Sequence, residues 1–348
     1  MTDHACNLRC SYCYTGAKAA RPMPEALGRQ AIARAVRSLR DGGELELGFF
    51  GGEPLLGADL VGRLADDARR RTAERGQGLQ LGLTTNGTVD TAAAWSILRD
   101  PSFEVTVSMD GPPDVHDRHR VTPDGRGTSG AVLRTIDSLV ASGRTFRVLM
   151  VVRPDTVAAL PGSVAFLRAR GVRAVDPSLD LWARWTADDV ARLEEAVVRL
   201  ADVWREGLPH HGVSWFDEKL LRASALPSDP GARCGFGVGQ IAVAPSGRLY
   251  PCERLIGEDR PPFAMSLPGH VAEGDDFLSA SPLDAHGADA CRSCAIQSLC
   301  ATDCRCSNYV RTGDPRRPDG LLCRLDRAIT AEIARTVAPS RPKESLHA

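Results

Sequence analysis

Cys6-Asn7-Leu8-Arg9-Cys10-Ser11-Tyr12-Cys13-Tyr14, near the N-terminus of this 348-residue chain, puts three thiols on one short loop at intervals of x3 and x2. Three cysteines are one short of the four ligands that close a zinc site or a cubane iron–sulfur cluster. On a four-iron cubane they leave one iron open. An open iron can chelate a small molecule through an amine and a carboxylate, the arrangement that positions a methionine-derived sulfonium for one-electron reduction. A zinc or disulfide fragment is the plainer reading, and the absence of a fourth nearby ligand argues against it.

The other cysteines extend the case. Of the eleven, three are in this loop and eight fall between Cys234 and Cys323, with none between Cys13 and Cys234. Cysteines used as small core residues would be scattered, so the grouping argues for sites. The segment Met1-Thr2-Asp3-His4 is not an apolar signal and no stretch approaches a membrane span. A cytoplasmic location is therefore expected, where thiols ligate metals or do redox chemistry rather than form disulfides. The net charge of −1, with acidic and basic residues interspersed, gives no field for nucleic acid or an anionic membrane. Arg69-Arg70-Arg71 lies on a helical pattern and reads as a solvated face.

Between residues 24 and 176 helix-like and strand-like segments alternate. Helices are expected over 24–39, 60–75, 129–141, 157–170 and 188–204, and strands over 44–50, 79–85, 103–109, 146–152 and 172–175. Alternation at this spacing means parallel strands joined by crossover helices, an α/β fold. Periodicity alone leaves open whether the sheet stays flat or curls. Beyond Pro209 regular structure thins out, and a module boundary is expected between 210 and 233. The tail after Pro339 is polar and expected to fray.

Three strand ends carry motifs. Gly51-Gly52-Glu53-Pro54 follows the first strand, where an α/β sheet has its ligand crevice. Two glycines let backbone approach a ligand, and Glu53 offers an acceptor to an ammonium group. Thr84-Thr85-Asn86-Gly87 and Ser108-Met109-Asp110-Gly111 end the next two strands, and Val115-His116-Asp117-Arg118-His119-Arg120 follows. The cysteine loop, with Tyr12 before its last cysteine, resembles the cluster loop of the radical S-adenosylmethionine (SAM) superfamily. Gly51–Pro54 is similar to that family's GGEP motif, and the later segments resemble its peptide-modifying branch. The resemblance implies a 4Fe–4S cluster on Cys6, Cys10 and Cys13. It implies SAM contacts from Tyr12, Gly51, Gly52, Glu53, Pro54, Asn86, Ser108 and Arg120. It also implies a strand before the cysteine loop, where this chain has only residues 1–5. Either that strand is very short or the true start lies upstream.

The C-terminal array runs Cys234-x12-Gly247-x4-Cys252, a gap, Cys291-x2-Cys294-x5-Cys300-x3-Cys304, a gap, and Cys323. It resembles the seven-cysteine SPASM signature at each interval. In the family this array binds two auxiliary 4Fe–4S clusters. The resemblance gives Cys234, Cys252 and Cys304 to the first, and Cys291, Cys294, Cys300 and Cys323 to the second. The first is then one thiolate short, because residues 235–240 contain no cysteine. Cys306 either completes it or is a spare thiol, or an iron stays open for a substrate group. Two structural zinc sites are the bland alternative.

Three clusters and SAM are thus implied, on a partial (β/α)6 barrel over residues 1–210 followed by a SPASM module over 211–339 and a tail over 340–348. One-electron cleavage of SAM yields a 5′-deoxyadenosyl radical that abstracts hydrogen from a substrate carbon. The leading expectation is maturation of a ribosomally made peptide by a thioether or carbon–carbon crosslink. The second is oxidation of a sulfatase Cys or Ser to formylglycine. In that branch an Asp after the position of Cys252 acts as base, and here Glu253 stands there as the candidate catalytic residue. The third is a non-enzymatic iron–sulfur carrier or zinc protein, in which the SAM-contacting segments would have no purpose. The implied partners are a peptide or protein substrate, an electron donor such as flavodoxin or ferredoxin, and a separate leader-binding protein.

Overall fold

The computed structural model describes residues 1–224, 235–263, 265–278, 291, 293–300 and 304–337. Cys234 and the tail expected at 340–348 lie outside them. The chain begins with the cysteine loop and then alternates: α1 (Glu25–Ser38), β1 (Glu44–Phe49), α2 (Ala58–Ala73), β2 (Gly78–Thr85), α3 (Ala92–Arg99), β3 (Phe103–Ser108), a single turn α4 (Pro113–His116), α5 (Ser129–Ala141), β4 (Phe146–Val152), α6 (Leu160–Ala169), β5 (Ala174–Leu179), α7 (Ala187–Gly207) and β6 (Gly212–Val213). The six strands are parallel and hydrogen-bonded in chain order, with β1 and β6 at the two edges. A parallel sheet wound in one direction keeps its crossover helices on one face and curls. The result is the expected partial barrel.

Alternation builds the core. Leu81, Leu83, Val105, Val107, Val148 and Met150 project from the strands and are buried, against Leu64, Ala65, Ile97, Ile136 and Leu167 of the helices. The longest crossover helix, α7, starts on a capping box. The Thr186 hydroxyl accepts from the Asp189 amide, and the Asp189 carboxylate accepts from the Thr186 amide at 2.8 Å.

Two strands differ from the sequence-based expectation. The last strand expected, over 172–175, runs instead from Ala174 to Leu179 with Pro177 inside it. Proline has no N–H for a ladder, but β6 pairs only with Ala174 and Val175, so Pro177 faces an unpaired edge on that side. The sixth strand, Gly212–Val213, is two residues long, too short for any periodicity, and it lies inside the stretch 210–233 where the module boundary is expected.

After α8 (Ser214–Ser224) come a small antiparallel pair, β7 (Ala242–Val243) and β8 (Leu249–Tyr250), then α9 (Arg305–Thr312) and α10 (Gly320–Val337). Helix α10 returns to the barrel, where Leu321, Leu325, Ile329 and Ile333 join the main core beside α7 and α8. A buried Lys219–Asp326 ion pair at 2.7 Å ties α8 to α10. Among the described residues no helix is long and apolar enough to cross a membrane.

Candidate functional site

The cysteine loop lies across the C-terminal ends of the strands, held by their polar residues. Ahead of it, the Thr2 amide donates to the Phe50 carbonyl, Gly52 to Asp3, and Glu53 to Ala5. Residues 2–5 therefore run along the extension of β1 as an extended segment without the ladder of a full strand. This contact explains both glycines. A Cβ on Gly52 would lie 2.0 Å from the Ala5 carbonyl oxygen, and one on Gly51 would lie 2.6 Å from that of Asp3, at a φ of +157°. Beyond Cys6, the Arg9 amide donates to Val121 and Ser11 to His119. The Asn86 amide group, just past β2, donates to Asn7 at 2.9 Å and to the Cys6 sulfur at 3.8 Å.

Burial pushes the Cys6 thiol up, although the Leu8 amide donates to its sulfur, and it lifts Cys10 to about 11. For Cys13 burial is outweighed. The Lys18 ammonium, 2.8 Å from its sulfur, and the Thr15 hydroxyl at 3.3 Å hold this thiol below its usual value. Lys18 has no periodicity or motif to mark it in the sequence. Three thiols gathered on one loop with a cation beside them suit a cluster whose thiolates repel one another.

Glu53 is almost fully buried, and Pro54 behind it opens a short 3-10 turn. The Glu53 carboxylate accepts from the Leu55 amide (3.0 Å), the Thr85 hydroxyl (2.7 Å) and the Asn86 amide (2.6 Å), which pins the end of β2 to the end of β1. Burial raises its pKa to about 7 against those three donors. Ser108, the last residue of β3, is buried opposite Leu149 of β4.

Tyr12 donates to Asp110 at 2.5 Å, and Arg120 grips the same carboxylate with Nε and Nη2 at 3.0 and 3.1 Å. The Arg120 guanidinium also stands 5.3 Å from the centre of the Tyr12 ring. Burial works against the Asp110 carboxylate, but the charge of Arg120 prevails and holds it below the ordinary range. Arg120 and Tyr12 thus lock the cysteine loop to β3. Asp110, inside the Ser108–Gly111 motif, has no feature of its own in the sequence to mark it, and it is the centre of this lock.

The C-terminal cysteines form two groups. Cys323, on α10, lies within electrostatic reach of Cys291 and Cys294, and burial and those neighbours raise it. Cys300 ends the short turn Gln297–Leu299 that follows Cys294, and its carbonyl accepts from Arg222. In the other group Cys304, at the N-terminal end of α9, has its sulfur 3.4 Å from that of Cys306, and the Cys306 thiol also meets Cys252. Among the described residues no three such side chains are already closed around a point as a bare ion would require. The Cys252 thiol donates to Glu253 at 3.3 Å, and Gln240 donates to the same carboxylate oxygen. Tyr14, beside Cys13, stacks on half-exposed Trp182 at 5.2 Å. Burial raises the Tyr14 phenol, and Glu253, Arg254, Cys13 and Cys252 all act on it, so this ring stands between the two cysteine units. The sequence gives no sign that Tyr14 and Arg254 come together here.

Residues 3–167 match the Radical SAM superfamily. The serine-type anaerobic sulfatase-maturating enzyme of Klebsiella aerogenes is 27% identical over 86% of this chain and 77% of its own length. The cysteine-type enzyme of Clostridium novyi is 23% identical over 90% and 87%. Among solved structures, native anSMEcpe with bound AdoMet superposes with a TM-score of 0.78 at 19% identity, over 96% of this chain and 95% of that one. SuiB of Streptococcus suis bound to its precursor peptide SuiA gives 0.63 at 17% identity, over 92% and 74%. These two show a shared fold.

Proposed function

This chain is a radical SAM enzyme of the SPASM and sulfatase-maturase branch, and from that premise we propose that it modifies a side chain of a peptide or protein substrate. The observation that carries the proposal is that Tyr14, next to Cys13 in the N-terminal loop, lies within electrostatic reach of Cys252 and of the Glu253 carboxylate that Cys252 touches. A substrate side chain entering there faces the radical-generating loop on one side and a carboxylate and thiols on the other.

We assign Cys6, Cys10 and Cys13 as ligands of the SAM-cleaving 4Fe–4S cluster, which supplies the electron that releases a carbon radical able to take hydrogen from an unactivated carbon. Lys18 offsets thiolate charge at Cys13. Asn86, Asp110 and Arg120 fix the loop, and Glu53 at the β1 end is the acceptor for the SAM ammonium. Residues 211–339 make the SPASM module and bind two auxiliary clusters. Glu253 takes the proton from the substrate thiol, hydroxyl or backbone group that closes the new bond.

Two products fit this site. A crosslink in a ribosomal peptide is the first reading; formylglycine formation is the second, and the names of the curated relatives favour it. In the second reading Glu253 stands one methylene farther out than the branch's Asp. The test incubates the reconstituted enzyme with SAM, a reductant and a sulfatase-derived peptide bearing Cys or Ser at the modified position. An aldehyde trapped by a hydrazide probe establishes formylglycine. Loss of two hydrogens from a cysteine-bearing precursor peptide, without an aldehyde, establishes a crosslink. SAM cleavage with neither product from either peptide class would sink the proposal.

A further inference from the structure

The first auxiliary cluster, as assigned above, has three signature cysteines and no fourth in residues 235–240. We propose that Cys306 is a ligand of that cluster, beside Cys252 and Cys304. The proposal rests on the reading that this module binds auxiliary clusters at all.

Three observations carry it. First, Cys306 is 2% exposed and its thiol is in contact with two others, Cys304 at 3.4 Å and Cys252. A cysteine used as a small hydrophobe needs only apolar neighbours. Cys306 has those in Met1, Phe236 and Tyr250, yet its sulfur turns to the thiols. Second, a cation faces the group. The Arg254 guanidinium feels Cys306, Cys304, the Glu253 carboxylate and Cys252, and it is held by Ser178 and Ser307 at 3.3 and 3.4 Å. The two cysteines named first act on it more strongly than the carboxylate does, and thiolates on a shared cluster draw on such a fixed, partly buried charge. Third, the donors are already oriented. The Ser307 hydroxyl donates to the Cys304 sulfur at 3.2 Å, and both cysteines stand at the N-terminal end of α9, where backbone N–H groups favour thiolate. Cys-x-Cys on a helix start thus replaces a distant fourth ligand with a local one.

The test reconstitutes wild type, Cys306→Ala, Cys306→Ser and Cys252→Ala anaerobically and reads iron, sulfide, zinc and the EPR spectra of the oxidised and the reduced proteins without SAM. Cys252→Ala is expected to lose about four iron per chain. Cys306→Ala is expected to do the same, or to lose one iron and show a three-iron spectrum. Cys306→Ser should keep its iron with a shifted spectrum, since a serine oxygen is a harder ligand. If Cys306→Ala matches wild type in both iron and spectrum while Cys252→Ala loses a cluster, Cys306 is a spare thiol and the proposal is wrong. If Cys252→Ala also matches wild type, or the wild type holds zinc there, the auxiliary-cluster reading itself fails and takes the proposal with it. Should Cys306→Ala not fold, by circular dichroism of the apoprotein, an unshifted spectrum of Cys306→Ser overturns the proposal alone.

Discussion

Glu53 shows how a residue chosen for ligand binding is also a structural joint. Its replacement by Ala orphans the Leu55, Thr85 and Asn86 donors together, and a buried unpaired donor costs about 1–3 kcal/mol. Glu53→Gln is the cleaner probe, expected to weaken SAM binding by about 1–3 kcal/mol in a calorimetric titration, the scale of a charge-assisted hydrogen bond. The same side chain gives a pH signature. Its pKa is about 7 in the fold, against an ordinary 4.5. The folded state therefore holds the proton more tightly, and this stabilising contribution is full below the ordinary value and lost as pH rises through about 7. His4 and His116, which burial holds down to about 4, contribute the opposite slope to both proteins, so the signature is a difference: the urea midpoint of the wild-type apoprotein should drop relative to that of Glu53→Gln between about pH 5 and pH 7.5. Glu253 is tested separately. Glu253→Gln should keep iron and SAM cleavage but suppress product by about 10²-fold or more, leaving 5′-deoxyadenosine uncoupled; product at the wild-type rate would remove its role as base. The cysteines, Glu53 and Glu253 were proposed from the sequence because each sits in a spaced motif. Lys18 was not, because it reaches Cys13 only through the loop's path over the strand ends.

At the scale of elements, the joint between residues 2–5 and the extension of β1 is the closest approach at any described glycine. Gly52→Ala places a methyl 2.0 Å from a carbonyl oxygen of that segment, and backbone on both sides leaves no side chain to yield. This variant is expected to release the cysteine loop, lowering the iron bound after reconstitution by about four per chain while β2 to β5 keep their far-ultraviolet signal. Full iron loading would show that the loop docks without this contact. The four strands from β1 to β4 were legible because each buries alternate residues over six or more positions. Pro177 hid the length of β5, and β6 has too few residues for any pattern. Helices α9 and α10 were overlooked for a different reason. Cys306 and Cys323 made their stretches look like ligand loops, while the apolar spacing Leu321, Leu325, Ile329, Ile333 follows a helical stripe.

For the molecule as a whole, about twelve iron and twelve sulfide per chain are expected after anaerobic reconstitution, and replacing Cys6, Cys10 and Cys13 together should remove about four of each and abolish SAM cleavage. Elemental analysis decides this, and a protein loaded only with zinc would sink the assignment. Helix α10 matters at the same scale. It covers the flank of the barrel next to α7 and α8, and it is also the last element of the described chain. Synthesis proceeds from the N-terminus, so the barrel emerges from the ribosome with that apolar flank bare. A chain cut at residue 318 should partition into inclusion bodies where the full chain remains in the supernatant. Cys323 is carried on this same helix, so an auxiliary site built on it, as proposed, would gather its thiols only once α10 has docked beside α7 and α8. Metal delivery to that site would then follow the closing of the barrel's flank, which makes it a late step of maturation.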